Sequence, residues 1–153
     1  MARKSAGILL YKRSASGILV LLVHPGGPFW SRRDAGAWSI PKGEFEDTED
    51  PQDAARREFR EETGMDAAGT LLPLGSSRQR GGKTVFAFAL EGDFDVTGLR
   101  SNLFEIEWPP RSGRMQSFPE VDRIEWFDLV AARQKILSGQ LPFLDRLELI
   151  CGA

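Results

Sequence analysis

The apolar positions of this chain fall into short blocks of two different periods. Ala6 to Tyr11 and Ile18 to Val23 are unbroken apolar runs too short for helices. They predict two neighbouring strands joined by the turn Ser14-Ala15-Ser16-Gly17. Pro25 to Gly36, with Gly26, Gly27, Pro28 and Ser31-Arg32-Arg33-Asp34, predicts a long loop. Trp38 to Pro41 alternates briefly and predicts a short strand entering a turn at Gly43. A helix is predicted from the N-cap Asp50 and Pro51 to Gly64, where a left-handed C′ residue favours glycine. Leu71 to Arg80 and Lys83 to Leu90 predict a hairpin closed by Gly81-Gly82 as a two-residue turn. Phe104 to Trp108 alternates until Pro109-Pro110 ends it, and Arg123 to Phe127 is a further short strand. Leu129 to Leu137 and Pro142 to Ile150 predict two helices, with Leu141, Leu144, Leu147 and Leu149 as core. The fold class is α+β, a central sheet flanked by helices.

The predicted helix carries an unusual charge arrangement. Glu58, Glu61 and Glu62 fall within an arc of about 100° on one face. Charged helix faces are usually solvated and laced with ion pairs. Here Glu58 has Ala54 and Glu62 as its neighbours four residues away, Glu62 has Met65 and Asp66 ahead of it, and only Glu61 has a basic partner, Arg57. Like charges four apart destabilise an isolated helix by a few tenths of a kcal/mol, so the face calls for a cation.

Composition narrows what that cation is. The chain has 153 residues, suited to one domain over residues 1–153, with a formal net charge of −2. That balance argues against a stable nucleic-acid complex or a membrane coat. One cysteine, Cys151, and one histidine, His24, exclude disulfides within the chain and multi-cysteine or multi-histidine metal sites. A reducing, cytoplasmic setting is expected, since no apolar run approaches the ~18 residues of a membrane span. The charge is uneven: residues 43 to 65 hold nine acidic and three basic side chains, leaving a mildly basic remainder. All-oxygen ligands suit a hard divalent ion, and Mg²⁺ commonly pairs one or two carboxylates with substrate phosphate oxygens. Such a cluster beside a basic loop suits hydrolysis of a phosphoanhydride.

Gly43, Glu49, Arg57, Glu58, Phe59, Glu61, Glu62, Gly64 and Met65 resemble, position by position, the 23-residue signature of the Nudix hydrolases. Phe59 stands where an aliphatic residue is more usual, and a repacked core contact is expected there. The resemblance implies an α/β/α sandwich with a central mixed sheet. It also implies Mg²⁺ or Mn²⁺ held by Glu58, Glu61 and Glu62, with the Lys42 carbonyl as a further ligand. Glu49 and Arg57 match the family's structural pair that braces the loop against the helix, and Gly43 and Gly64 its structural glycines. The general base varies within the family: Glu61, Glu62 or a downstream glutamate among Glu105, Glu107, Glu120 and Glu125. Glu120, next to Pro119, lies at the loop-to-strand junction where the resemblance implies an extra metal-binding glutamate, whereas Glu105 and Glu107 sit on the polar face of an alternating strand and are expected to be solvated.

Several other residues are candidates for substrate contact. Lys42, pinned beside Gly43, has an amine suited to a phosphate. Arg32 and Arg33 suit phosphates or simple solvation, and Trp108 with Arg111 and Arg114 suits stacking on a base or, for Trp108, the core. His24 is expected to be a satisfied surface group. Gly82-Lys83-Thr84 lacks the earlier glycine of a phosphate-binding loop and is rejected as one. The expected activity is metal-dependent cleavage of a nucleoside diphosphate linked to another group, with dinucleoside polyphosphates and nucleoside triphosphates favoured. The alternative is a non-catalytic nucleotide sensor, which the intact carboxylate triad disfavours. Monomer and homodimer both remain open.

Overall fold

The computed structural model describes residues 3–152. In chain order the elements are β1 (Lys4–Ser14), β2 (Gly17–Pro25), β3 (Lys42–Glu44), α1 (Pro51–Thr63), β4 (Leu72–Arg78), β5 (Thr84–Glu91), β6 (Leu103–Glu107), β7 (Met115–Pro119), β8 (Val121–Asp128), α2 (Leu129–Lys135) and α3 (Leu141–Cys151). Five strands run in the order β4-β5-β1-β2-β8, with β3 added to β1, and β6 and β7 form a separate two-stranded sheet. The β1–β5 pair is parallel, while β1 with β2 and with β3, β2 with β8, and β4 with β5 are antiparallel. The sheet is therefore mixed, as expected.

Alternating side chains of β1 and β2 serve two cores. Ala6, Ile8, Leu10, Leu21 and Val23 face α1 with its Ala54, Ala55 and Phe59. Leu9, Tyr11, Val20 and Leu22 face Ala132 and Ile136 on one side of the chain's end and Phe143, Leu144 and Leu147 of α3. A strand covered on both faces reads as a continuous apolar run, which is why these two were legible. Phe59 is fully buried, taking the expected core contact.

The feature that positions the site is a fork between β1 and β2. They pair through Tyr11↔Val20 to Ser14↔Gly17 and then part. The segment from Ser39 to Glu44 fills the gap, with Ser39 bridging Val23 and Lys42 to Glu44 pairing with Gly7 to Ser5. Gly7 permits this approach, because a Cβ there would stand 2.5 Å from the Pro41 carbonyl oxygen.

Several boundaries differ from the sequence-based expectation. Trp38 and Ser39 make isolated bridges, and the strand is Lys42–Glu44 instead. The Gly81-Gly82 turn is wider than two residues: Gln79 donates to the Lys83 carbonyl at 2.7 Å, outside strands ending at Arg78 and starting at Thr84. β7 escaped the pattern because Met115-Gln116-Ser117-Phe118-Pro119 offers no alternation of its own and acquires strand form by pairing with β6. Leu149 is 82% exposed, so the C-terminal leucines are not all core. His24 is completely buried, not a surface group: Nδ1 lies 2.7 Å from Asp122 Oδ1 and Nε2 lies 2.6 Å from the Arg33 carbonyl oxygen. Long-range partners satisfy it in the interior.

Candidate active site

The helix α1 begins where Asp50 accepts the Gln52 N–H at 2.7 Å and ends at Gly64, whose φ of 84° allows its N–H to reach the Arg60 carbonyl. Its buried stripe of Ala54, Ala55 and Phe59 fixes its rotation on the sheet, and that rotation turns Glu58 and Glu62 toward the β3 segment. The Lys42 N–H donates to Glu62 Oε1 at 3.2 Å. Gly43 leaves room for the Glu58 carboxylate: a Cβ there would stand 2.0 Å from Glu58 Oε2, and the carboxylate would have to swing aside.

Arg57 ties the acidic loop to the helix. Its Nε and Nη2 donate to the two Glu49 carboxylate oxygens at 3.0 and 2.9 Å, and Nη1 reaches Glu58 at 2.8 Å and Glu61 at 3.5 Å. The fork geometry suits a bidentate carboxylate. Helical spacing left Glu58 without a basic partner; the structure supplies one from the adjacent residue, which sideways reach along the helix surface makes possible.

Glu120 follows β7 and enters the same acidic group from a remote part of the chain. Its N–H donates to the Asn102 carbonyl at 2.8 Å, and the Asn102 N–H donates to the Glu61 carbonyl at 2.9 Å. Those two backbone bonds set Glu120 beside the carboxylate end of α1. Burial, followed by the neighbouring Glu61, raises the Glu58 carboxyl above its ordinary range, and the same two causes in the same order raise Glu120. Burial pushes Glu62 up to about 8 against the opposing pull of Lys42, with Glu58 and Glu120 adding to the rise. Burial, then the nearby Lys83, lowers the Lys42 amine.

The chemistry of this donor set fits a hard divalent cation: four carboxylates are gathered together, Glu58, Glu62 and Glu120 are raised above their ordinary range, and no nitrogen or sulfur ligand is among them. Among the described residues, no three acidic, histidine or cysteine side chains are gathered tightly enough to enclose an ion as they stand. Glu58 is turned to Arg57 and Glu62 to Lys42, so ligation requires side-chain rotation about a fixed backbone.

A cleft of about 210 Å³ opens from this group, bounded by Lys42, Glu62 and Glu120 on its polar side and by Val23, Trp30 and Leu137 on its apolar side. Of the sequence-derived candidates, Lys42, Glu62 and Glu120 line it, with Glu58 and Glu61 next to them. Arg32, Arg33 and Trp108 do not. Arg32 is exposed on the loop, Arg33 lies over the Trp30 ring at 5.6 Å, and Trp108 packs on Phe29 with ring centroids 5.3 Å apart. Glu105 is exposed on β6, and Glu107 accepts backbone N–H groups of its own hairpin. Sequence reasoning missed Trp30, whose signal was only its place in a glycine-rich loop ahead of the acidic segment.

A mixed sheet between helices, with carboxylates from a loop-helix-loop segment gathered at a polar-apolar cleft, defines a phosphate-handling α/β/α domain. The family model described as the NUDIX domain matches residues 1–147, and the chain belongs to the Nudix hydrolase family. It is similar to an RNA pyrophosphohydrolase of Bartonella henselae, 26% identical over a gapped alignment of 160 positions that covers 89% of this chain and 82% of that protein. Among solved structures, an Ap4A hydrolase binary complex from C. elegans shares the fold with a TM-score of 0.65 at 20% identity, covering 99% of this chain and 98% of that one. The NUDIX domain of Shewanella oneidensis NrtR, solved with ADP ribose, aligns with a TM-score of 0.68 at 15% identity over 99% of this chain and 89% of that one. Among the described residues, no helix is long and apolar enough to cross a membrane.

Proposed function

We propose that this protein hydrolyses a phosphoanhydride bond in a nucleoside diphosphate linked to a further group, in the presence of Mg²⁺ or Mn²⁺. The observation that supports it most is the meeting of Glu58, Glu61 and Glu62 from one helix end with Glu120 from the β7–β8 junction, at the polar side of a cleft whose other side is apolar. Glu58, Glu61 and Glu62, with the Lys42 carbonyl, would hold the ion. Bound there, a divalent cation neutralises phosphate charge and polarises a water. Glu120, raised by burial, accepts a proton from the attacking water, a role suited to a carboxyl whose pKa is moved toward neutrality. The Lys42 amine meets a phosphate oxygen, and Trp30 with Val23 and Leu137 shelters an apolar ring. Arg57 touches no substrate in this scheme: its hydrogen bonds to Glu49, Glu58 and Glu61 hold the carboxylates in register. Dinucleoside polyphosphates and nucleoside triphosphates are the favoured substrates, and the similarity to an RNA pyrophosphohydrolase adds the 5′ end of an RNA.

The test is turnover of a panel of dinucleoside polyphosphates, nucleoside triphosphates, nucleotide sugars and 5′-triphosphorylated RNA with Mg²⁺, each compared with the Glu62→Gln variant. Release of phosphate or nucleotide from at least one substrate, abolished by EDTA and reduced by orders of magnitude in the variant, is expected. Tight binding of a nucleotide with no turnover of any substrate would establish the sensor reading instead.

A further inference from the structure

The β6–β7 hairpin rises from the catalytic group. Its base is Leu103↔Pro119, adjacent to Asn102 and Glu120, and its far end is Glu107↔Met115. At about 3.3 Å per residue, five residues carry the turn on the order of 15 Å from that base. The loop ahead of β3 runs against the hairpin. The Gly26 N–H donates to the Glu120 carbonyl at 2.9 Å, a Cβ on Gly27 would stand 2.8 Å from the Phe104 ring, and Phe29 meets Trp108 edge to face. Trp30 lines the cleft and its neighbour Phe29 touches the hairpin's end, so this loop links the cleft to the turn.

This region is aromatic, cationic and held in shape. Phe29 is 60% exposed. Arg32, Arg33, Arg111 and Arg114 form no ion pair among the described residues, whereas Arg57 and Arg133 each reach two or more carboxylates. The turn is fixed from within. Arg111 sits at φ 62°, a left-handed conformation uncommon for a residue with a side chain. The Glu107 carboxylate accepts the Arg111 and Gly113 N–H groups at 3.2 and 3.0 Å, and the Trp108 N–H closes the hairpin on the Arg114 carbonyl at 2.9 Å. The carboxylate nearest the turn is thus spent on the backbone, leaving the guanidinium groups without a counter-charge.

We propose that Phe29, Trp108 and the arginines Arg32, Arg111 and Arg114 form a subsite for a second nucleotide unit of the substrate, ring on the aromatics and phosphate on the guanidiniums. Free cations beside the exposed Phe29 ring and the half-buried Trp108 ring suit this combination, which stacking and phosphate contacts together recognise. The subsite rests on the activity proposed above and deepens it. It lies beyond the cleft that holds the first nucleoside, so it favours substrates with a nucleoside on each side of the cleaved phosphates, or with a nucleotide chain, over a simple triphosphate.

The experiment measures kcat and KM on ATP, diadenosine tetraphosphate and a 5′-triphosphorylated dinucleotide, using the full chain and its Trp108→Ala, Trp108→Phe and Arg111→Asn/Arg114→Gln variants. Asparagine keeps a residue that tolerates the left-handed backbone. Trp108→Ala is expected to raise KM on at least one two-nucleoside substrate roughly tenfold more than on ATP, as the loss of one stacking contact predicts. Trp108→Phe should recover most of that loss, and the arginine variant should flatten the dependence of KM on salt. The substrate that suffers identifies the source, a dinucleoside polyphosphate or an RNA end. Equal losses on ATP and on both larger substrates, or no loss on any, overturn the subsite while leaving the hydrolase reading intact. If the unmodified protein cleaves none of the three, the hydrolase reading passes to the wider substrate panel and kinetics no longer read the subsite. The subsite is then decided by the Trp108 indole N–H resonance on adding diadenosine tetraphosphate: a saturable shift supports it, and an unmoved signal overturns it.

Discussion

Replacing Glu62 by glutamine separates what the acidic group does for activity from what it does to stability. The carboxamide keeps an oxygen to accept the Lys42 N–H now 3.2 Å away, so the backbone link survives and the charge alone is removed. Burial raises Glu62 from 4.5 to about 8. A carboxyl whose folded pKa is raised destabilises the native state progressively as pH climbs from its unfolded pKa to its folded one, because the unfolded chain ionises first. The window here is therefore from about 4.5 to about 8. At roughly 1.4 kcal/mol per pH unit, the full shift sets a ceiling of ~5 kcal/mol above that window. Attraction to Lys42 and entry of water reduce it, and ~1–2 kcal/mol is the expected gain for the variant at alkaline pH. Urea unfolding of EDTA-treated protein should show Glu62→Gln more stable than the parent, by a margin that grows between pH 5.5 and pH 8.5. Added Mg²⁺ should reverse the order, since an ion at free concentration c that binds only the native state stabilises it by RT ln(1 + c/Kd) and the parent binds it more tightly. A margin that does not change with pH, or a variant less stable at both, would refute a raised Glu62 carboxyl in this site.

Three further outcomes follow from the geometry. Glu120→Gln should lower kcat by about 10²-fold or more with little change in KM, the scale of a lost general base; an unchanged kcat in steady-state assays removes Glu120 from the chemistry. Gly43→Ala should swing the Glu58 carboxylate off Arg57, given the 2.0 Å approach, at a stability cost of no more than ~1 kcal/mol but with a large fall in activity; denaturant midpoints and rates check both. His24→Ala should leave Asp122 and the Arg33 carbonyl without their buried partner, a loss of about 2 kcal/mol or more, and loosen the loop that carries Trp30, seen as faster amide exchange from residues 26 to 34.

The acidic segment was legible because its chemistry is local. Asp50, Gly64 and the spacing of Glu58, Glu61 and Glu62 specify a capped helix with a crowded anionic face, and a helix presents such residues together whatever surrounds it. The loop-to-helix brace between Glu49 and Arg57 was legible only through family resemblance, and the structure shows it as a bidentate pair. The aromatic wall was not legible: Trp30 and Phe29 stand in a loop without period, and Trp108 was equally compatible with a core or a surface.

The sequence by itself determined the two buried strands and the capped helix with its crowded acidic face, since each depends on neighbours within a few residues. Only the tertiary structure decided that Glu120 joins that face, that β3 wedges between β1 and β2 to bring Lys42 onto Glu62, and that His24 is buried. These contacts join residues 20 to 98 positions apart, and their partners are selected by sheet order and helix docking. No local pattern encodes that selection, because the same side chains at the same spacing would meet different neighbours in another topology.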